Sequence, residues 1–176
     1  MSTSTEQHKR EAPRRISCFV ITVSDTRTEE TDRSGGLIRQ LLEEHGHAVA
    51  GYRIVPDDRA TIAASVREAA DDPAVEAVLI NGGTGIAARD VTIEAVRGLL
   101  DKEMPGFGEL FRYLSFAEDI GPAAMLSRAV AGTVGRTAVF AMPGSTGAVK
   151  LAMTRLILPE LGHVMREIYK DAPKSM

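Results

Sequence analysis

Short unbroken runs of apolar residues alternate along the chain with stretches in which apolar residues recur at helical spacing. Two of the runs, 16–24 and 75–81, are rich in β-branched residues and are typical of strands buried on both faces. Between them the pattern predicts helices over 34–46 and 59–71 and a weaker strand over 47–55. Because the connections are short, this alternation predicts parallel βαβ units with helices on both faces of a sheet.

The alternation continues in the second half of the chain. The pattern predicts a helix over 92–100, a strand over 136–142 and a helix over 145–158. Pro159 is expected to end or kink this helix, since proline removes a backbone donor and clashes with the preceding turn. A last helix is predicted to end near Tyr169. The fold class that follows is α/β.

The segment 102–135 is less regular than the rest of the chain. Its pattern predicts helices over 107–117 and 122–129 and an extended stretch over 130–135. It is rich in Met, Phe and Leu at irregular spacing, which suits an interface between subunits. We therefore expect a homo-oligomer.

The composition excludes several classes of protein. A net charge of −3 argues against a broad basic surface, so we expect no nucleic-acid partner. The single cysteine, Cys18, closes no intramolecular disulfide, and no cluster of Cys and His predicts zinc, which together favour a reducing, cytoplasmic location. No apolar stretch approaches the roughly 18 residues of a membrane span, so we expect no membrane partner.

The ends of the chain differ from the middle. Residues 1–15 are polar and lack apolar periodicity, so we expect them to be disordered. No internal repeat or interdomain linker interrupts the remainder. A length of 176 residues suits one domain. We therefore predict a single domain over 16–170, between the N-terminal tail 1–15 and a C-terminal tail 171–176.

A glycine-rich loop follows the strand predicted at 75–81. Residues 81–85 read NGGTG, and three glycines among five residues leave the backbone amides free to point at an anion beside a helix N-terminus. The spacing matches neither the Walker loop nor the dinucleotide fingerprint. A tight turn between strand and helix explains the same glycines, so the sequence leaves a phosphate cradle and a plain turn as alternatives.

Acidic residues follow two of the strands. Asp90 either caps the next helix or, if Thr92 is the cap, is free to act as a functional carboxylate. Asp57 and Asp58, after Pro56, form a turn in which either can cap a helix. Carboxyl ends of parallel strands meet at one edge of a sheet, so these acids would converge beside the glycine loop. Carboxylates next to phosphate suggest Mg²⁺.

Two further loops are expected at the same edge. Ser24 and Asp25 begin a long loop, in which Arg27 could pair with an anion; a solvated loop whose Ser34 caps the next helix is the favoured alternative. The turn at 143–145 suits capping or anion binding.

Eight segments, taken in order, resemble the molybdopterin-binding family to which the MoaB and MogA proteins belong. The resemblance runs from about residue 16 to residue 169. The segments are SD at 24–25, DRSG at 32–35, VPDD at 55–58, NGGTG at 81–85, RDVT at 89–92, EMPGFG at 103–108, LSR at 126–128 and MPGS at 142–145.

The resemblance implies a three-layer α/β/α fold with a mostly parallel central sheet, assembled as trimers or hexamers. It implies binding of molybdopterin and adenylylation of its terminal phosphate with Mg²⁺ and ATP, which releases pyrophosphate, and partners among other molybdenum cofactor biosynthesis proteins. The family's essential aspartates match Asp57 and Asp90, which we expect to hold Mg²⁺ and the phosphates. The expected substrate-binding residues are Ser24, Asp25, Gly82, Gly83, Thr84, Gly85, Pro143, Gly144 and Ser145.

The chain departs from the family pattern in three places. Asn81 stands where the glycine loop often begins with Thr, and Ile93 stands where Pro is common. After Ser145 the chain continues Thr146-Gly147, which changes the proposed ligand rim. Because a fold guarantees no reaction, a non-catalytic molybdopterin-binding carrier or assembly module is the alternative function.

Overall fold

Six strands form one mixed sheet in a computed structural model, which describes residues 15–171 and Glu6. The predicted tails 1–15 and 171–176 lie outside the described residues except at Glu6, Arg15 and Asp171. The order across the sheet is β2-β1-β3-β6-β5-β4. The strands are β1 (Ser17–Val23), β2 (Ala48–Val55), β3 (Ala77–Asn81), β4 (Lys102–Glu103), β5 (Val130–Val134) and β6 (Thr137–Met142).

Helices connect the strands. Two short segments have other helical geometry, a 3₁₀ helix over Gly121–Leu126 and a π-helical turn over Met153–Ile157. The α-helices are α1 (Arg33–Glu44), α2 (Arg59–Asp71), α3 (Thr92–Arg97), α4 (Pro105–Glu118), α5 (Thr146–Ala152) and α6 (Leu158–Tyr169).

The sheet separates two apolar clusters, as the period-two alternation of a strand requires. On one face Leu79 and Phe140 pack with residues of α1, α4 and α6 such as Leu42 and Phe111. On the other face Ile80 and its neighbours pack with α2 and α3. β3 and β6 are buried at every position, which explains their unbroken apolar runs. The predicted three-layer α/β/α fold is confirmed.

Four strands, β1, β2, β3 and β6, run parallel, so their carboxyl ends lie at one edge of the sheet. The connection through α1 leads from β1 outward to β2, and the connection through α2 returns to the other side of β1. This reversal creates a crevice between β1 and β3, where ligands bind in open α/β sheets.

In the irregular segment the predicted helix over 107–117 and the predicted extended stretch over 130–135 are confirmed as α4 and β5, whereas other details differ from the prediction. The stretch at 122–129 is a 3₁₀ helix over Gly121–Leu126 rather than a longer helix. The extended stretch is β5, which forms an antiparallel hairpin with β6 through a turn at Gly135, where φ is +57°. The short strand β4 was not predicted, since its two exposed residues carry no apolar pattern.

Pro159 does not end the helical path. The chain stays helical from α5 into α6, and the proline lies in the first turn of α6, where its missing donor is tolerated. The π-helical turn over Met153–Ile157 precedes it and gives the ring the room that a regular α-helical turn lacks.

Among the described residues, no helix is long and apolar enough to cross a membrane.

Candidate active site

A cleft of about 470 Å³ opens at the carboxyl edge of the sheet. Strand ends and the loops that follow them form its walls, as the parallel topology requires. Most of the residues predicted for the site line it. They are Ser24, Asp57, Gly82, Gly83, Thr84, Gly85, Asp90, Pro143 and Gly144.

Two predicted site residues do not line the cleft. Asp25 lies behind Asp57, where its Oδ1 accepts the Asp57 backbone amide at 2.9 Å and its Oδ2 pairs with Arg89. Ser145 accepts the Ala148 amide at 3.2 Å and so caps α5, one of the two roles left open for it. Asp25 therefore supports the site, and Ser145 begins a helix.

The glycine loop is a tight turn in which the backbone itself is packed. Gly82 and Gly83 have φ values of +97° and +64°, which L side chains rarely adopt. A Cβ atom on Gly82 would lie 2.3 Å from the carbonyl oxygen of Val23, and one on Gly83 would lie 2.4 Å from Thr92 Oγ1. Only glycine fits at either position.

From Gly83 to Gly85 the carbonyls of the glycine loop are hydrogen-bonded within the chain, whereas the amides are not bonded to any described residue. The carbonyl of Gly83 accepts the Thr92 amide at 3.0 Å, and the carbonyls of Thr84 and Gly85 accept from Arg128. Within the described residues, the amides of Gly83, Thr84 and Gly85 have no hydrogen-bond acceptor. Three successive amides without an acceptor at a cleft are an arrangement that can bind an anion.

Asp57 and Asp58 have separate roles. Asp58 Oδ2 accepts the Thr61 amide at 2.8 Å and caps α2, and hydrogen bonds from Thr61 lower its pKa. Asp57 faces the cleft, with its side chain only 11% exposed and 3.9 Å from Arg89. Its pKa is raised, chiefly by burial and then by the nearby charge of Asp25.

Neither of the two candidate caps, Asp90 and Thr92, caps α3. Val91 occupies the cap position of α3 without a side-chain hydrogen bond, and Thr92 is the first helical residue. The Thr92 hydroxyl is buried and has no hydrogen-bond partner among the described residues. The backbone amide of Thr92, and not its hydroxyl, bonds to the carbonyl of Gly83. Asp90 closes the loop instead: its Oδ2 accepts the Ala87 amide at 3.1 Å. Asp90 also lines the cleft.

The expected capping by Ser34 is also wrong. Asp32 Oδ1 accepts the Gly35 amide at 3.0 Å and caps α1, because Asp32 directly precedes the first helical residue whereas Ser34 already lies inside the helix. The Ser34 hydroxyl donates to the Gly144 carbonyl at 2.6 Å, and Arg27 Nη2 donates to the same oxygen at 3.2 Å. Ser34 and Arg27 thus hold the turn at 143–145 in place through the Gly144 carbonyl.

Three arginines line the cleft beside the two aspartates. Arg27 also lies 3.6 Å from the buried Asp32 carboxylate, which orients it. Arg89 pairs with Asp25. From the sequence, Arg27 was only a possible partner of an anion. No local pattern indicated that Arg128, from a distant segment, would reach the glycine loop.

The described residues contain no group of three or more His, Cys, Asp or Glu side chains that could hold a metal ion. Asp57 and Asp90 are the carboxylates that line the cleft. Their charges interact, since Asp90 contributes to the raised pKa of Asp57. Mg²⁺ is commonly bound by one or two carboxylates together with waters and substrate phosphates, so the pair fits that ion and not a closed protein site.

The fold and the cleft define an α/β protein with a polar cleft at the topological switch point of its sheet. A family profile described as a probable molybdopterin binding domain matches residues 19–163. The chain belongs to this family, which confirms the resemblance seen in the sequence and places the chain in molybdenum cofactor biosynthesis.

Individual relatives agree over nearly the whole chain. Molybdenum cofactor biosynthesis protein B of Halalkalibacterium halodurans is 63% identical over 168 residues, which cover 96% of this chain and 99% of that protein. The protein of the same name from Bacillus subtilis is 60% identical with the same coverage.

Solved structures support the fold. A crystal structure of molybdenum cofactor biosynthesis protein B has a TM-score of 0.89 at 59% identity and covers 91% of this chain and 99% of its own. The tungsten cofactor synthesizing protein MoaB from Pyrococcus furiosus has a TM-score of 0.78 at 39% identity, with coverage of 89% and 99%.

Proposed function

We propose that the chain adenylylates the terminal phosphate of molybdopterin with Mg-ATP and releases pyrophosphate. The observation that carries the proposal is the run of amides without acceptors at Gly83–Gly85, in a cleft that also presents carboxylates and arginines. Family membership supports molybdopterin as the ligand. Amides can bind phosphate oxygens, and carboxylates can hold the accompanying cation.

In the proposed reaction an oxygen of the molybdopterin phosphate attacks the α-phosphorus of ATP. A new P–O–P bond forms while the bond to the β-phosphate breaks, and pyrophosphate carries away the electron pair. Bound Mg²⁺ would supply neutralisation of phosphate charge. Positioning and electrostatics do most of the work in such transfers. The glycine-loop amides bind phosphate oxygens, Arg27 and Arg89 offset their charge, and Asp57 and Asp90 hold the cation.

The raised pKa of Asp57 gives the proposed cation site a pH signature. Asp57 must be ionised to hold a cation, and burial raises its pKa above the ordinary value. Because a proton and Mg²⁺ compete for this carboxylate, binding of Mg²⁺ to the free protein should weaken as the pH drops through the raised pKa, at a higher pH than for an ordinary aspartate. The Asp57→Asn variant should lose this pH dependence together with most of its turnover.

The decisive assay measures pyrophosphate release with ATP, Mg²⁺ and molybdopterin. Asp57→Asn and Asp90→Asn should each lower turnover by at least about 100-fold, the effect of losing one electrostatic stabiliser. Asp58→Asn is the matched control, because Asp58 caps α2 outside the cleft and asparagine also caps helices. Wild-type turnover in Asp57→Asn and Asp90→Asn would refute the assigned roles.

A molybdopterin carrier is the second candidate. The observation in its favour is that Ser145, at the altered rim, caps a helix and leaves the cleft without the hydroxyl predicted there. Calorimetric titration separates the two functions. Binding of molybdopterin without ATP-dependent pyrophosphate release would favour the carrier.

We further propose that the chain forms a homo-oligomer, trimeric or hexameric as in its family. Helix α4 exposes Leu110, Tyr113 and Phe116, each more than half accessible, and Met125 and Leu126 follow on the 3₁₀ helix. An apolar surface of this kind marks an interface. Light scattering should give a multiple of 18.9 kDa, and Phe116→Glu should lower that mass. A wild-type particle of 18.9 kDa would refute the assembly.

A further inference from the structure

Arg128 donates hydrogen bonds to three backbone carbonyls at the glycine loop and beside it. Its Nε donates to the Thr84 carbonyl at 3.0 Å, and its Nη2 donates to the carbonyls of Gly85 and Asp90 at 2.7 and 3.2 Å. The guanidinium therefore links the C-terminal end of the glycine loop to Asp90, just before α3. It comes from the segment after the 3₁₀ helix, far from the loop in sequence.

The charge of Arg128 is already balanced. Glu94, on α3, forms an ion pair with the guanidinium, and the hydrogen bond from Arg128 holds the pKa of that carboxyl below its usual value. A guanidinium engaged by one carboxylate and three carbonyls has few donors left for a ligand. Its geometry suits holding the protein rather than binding the anion.

The orientation of the carbonyls decides the orientation of the amides. In a planar trans peptide group the C=O and the following N–H point in opposite directions, and the described residues contain no cis peptide bond. Because Arg128 draws the carbonyls of Thr84 and Gly85 toward itself, the amides of Gly85 and Ile86 point away from it. Within the described part of the chain these amides find no acceptor.

We propose that Arg128 is a positioning residue, which fixes the peptide groups of the glycine loop so that their amides stay directed at the phosphate of the ligand. The identity of that ligand rests on the proposed function. The orientation of the loop by Arg128 does not, because it follows from contacts within the chain.

The test compares Arg128→Ala and Arg128→Lys with Arg97→Ala. Arg97 is the matched control, since it makes a comparable two-pronged ion pair with Glu103 on the exposed side of α3, away from the cleft. Hydrogen exchange of residues 82–92 without ligand reports the order of the loop, for which the Thr92 amide, bonded to Gly83, is the most direct probe. Calorimetry with inorganic pyrophosphate reports the binding of an anion.

Arg128→Ala should speed exchange of the Thr92 amide and weaken pyrophosphate binding by about ten-fold or more, the scale of losing charge-assisted hydrogen bonds. Arg128→Lys should fall between that variant and the wild type, since lysine is a point charge without the planar fork. Arg97→Ala should stay within about two-fold of the wild type. Added guanidinium ion should restore part of the pyrophosphate affinity of Arg128→Ala.

Two outcomes overturn the proposal. Wild-type exchange over 82–92 in Arg128→Ala would show that the loop orders itself. Weaker pyrophosphate binding with unchanged exchange would show that Arg128 contacts the anion directly. If Arg128→Ala does not fold, Glu94→Gln replaces it and should speed exchange to a smaller extent. A wild-type protein that binds neither pyrophosphate nor Mg-ATP would refute the proposed function, whereas the exchange experiment would still decide the role of Arg128.

Discussion

A methyl group added at Gly83 would strain the backbone of the turn and would also clash with Asp57, the proposed cation ligand. Its φ of +64° lies in the left-handed region. A Cβ atom there would lie 2.4 Å from Thr92 Oγ1 and 2.8 Å from Asp57 Oδ1. Gly83→Ala is therefore expected to lower stability and to displace the Asp57 carboxylate at the same time.

The magnitude divides into a backbone part and a contact part. The left-handed conformation costs about 1–2 kcal/mol for alanine. Relieving the clash against the fully buried Thr92 adds roughly 1–3 kcal/mol, as other overpacked sites do. Gly121→Ala is the control for the first part, because Gly121 has a φ of +59° and nothing within 4 Å of an added Cβ.

Urea unfolding measures both variants, and pyrophosphate release measures turnover. Gly121→Ala should lose about 1–2 kcal/mol in the free energy of unfolding and keep its turnover. Gly83→Ala should lose more free energy of unfolding than Gly121→Ala and should also lose turnover. In thermal unfolding, each additional kcal/mol should lower the melting temperature by roughly 2–4 °C. Equal losses of stability in the two variants, with turnover kept in both, would refute the tight approach of Gly83 to Thr92 and Asp57.

Three further predictions follow from single contacts. Ser145→Ala should lower the free energy of unfolding by about 1 kcal/mol through the lost helix cap and leave Mg-ATP affinity unchanged by calorimetry; a large loss of affinity would make Ser145 a ligand. Tyr52→Phe should lower the same free energy by about 1–2 kcal/mol, because its hydroxyl donates at 2.5 Å to the buried Asp32, and an unchanged denaturation midpoint would contradict this. Burial lowers the pKa of His47, whose ring nitrogen accepts the Ile16 amide, so its neutral form stabilises the fold above the unfolded pKa of about 6.5. This stabilisation should be lost as the pH falls from about 6.5 toward the lowered pKa, and His47→Gln should show a flatter pH dependence in urea unfolding.

The strands and the edge that carries the site could be predicted because they depend on local patterns. An unbroken apolar run such as that of β3 indicates burial on both faces whatever its neighbours are. Parallel connections then bring the following loops to one edge. The stretches 130–135 and 136–142 were predicted separately, but the antiparallel pairing of β5 with β6 was not, although the two-residue turn at Gly135 is a common hairpin connection.

The helix caps show where local pattern ceases to decide. Asp57 and Asp58 are equivalent as capping residues in the sequence, and so are Asp32 and Ser34 to a lesser degree. Which residue of each pair caps its helix depends on where the preceding segment ends and on what lies across from it. Asp58 caps because Asp57 is drawn inward, with its amide held by Asp25. Such choices are made by contacts between segments and have no signature along the chain.

A tight turn and the proposed phosphate cradle are compatible explanations of the glycine loop. A plain turn would satisfy its peptide groups within the chain as far as geometry allows. Here the carbonyls of Gly83, Thr84 and Gly85 are all bonded, whereas their amides find no acceptor in the described part of the chain. The tightness that requires glycine and the contacts of Arg128 leave these amides available at the cleft. Under the proposed function, the turn that joins β3 to α3 is also the segment that binds the phosphate.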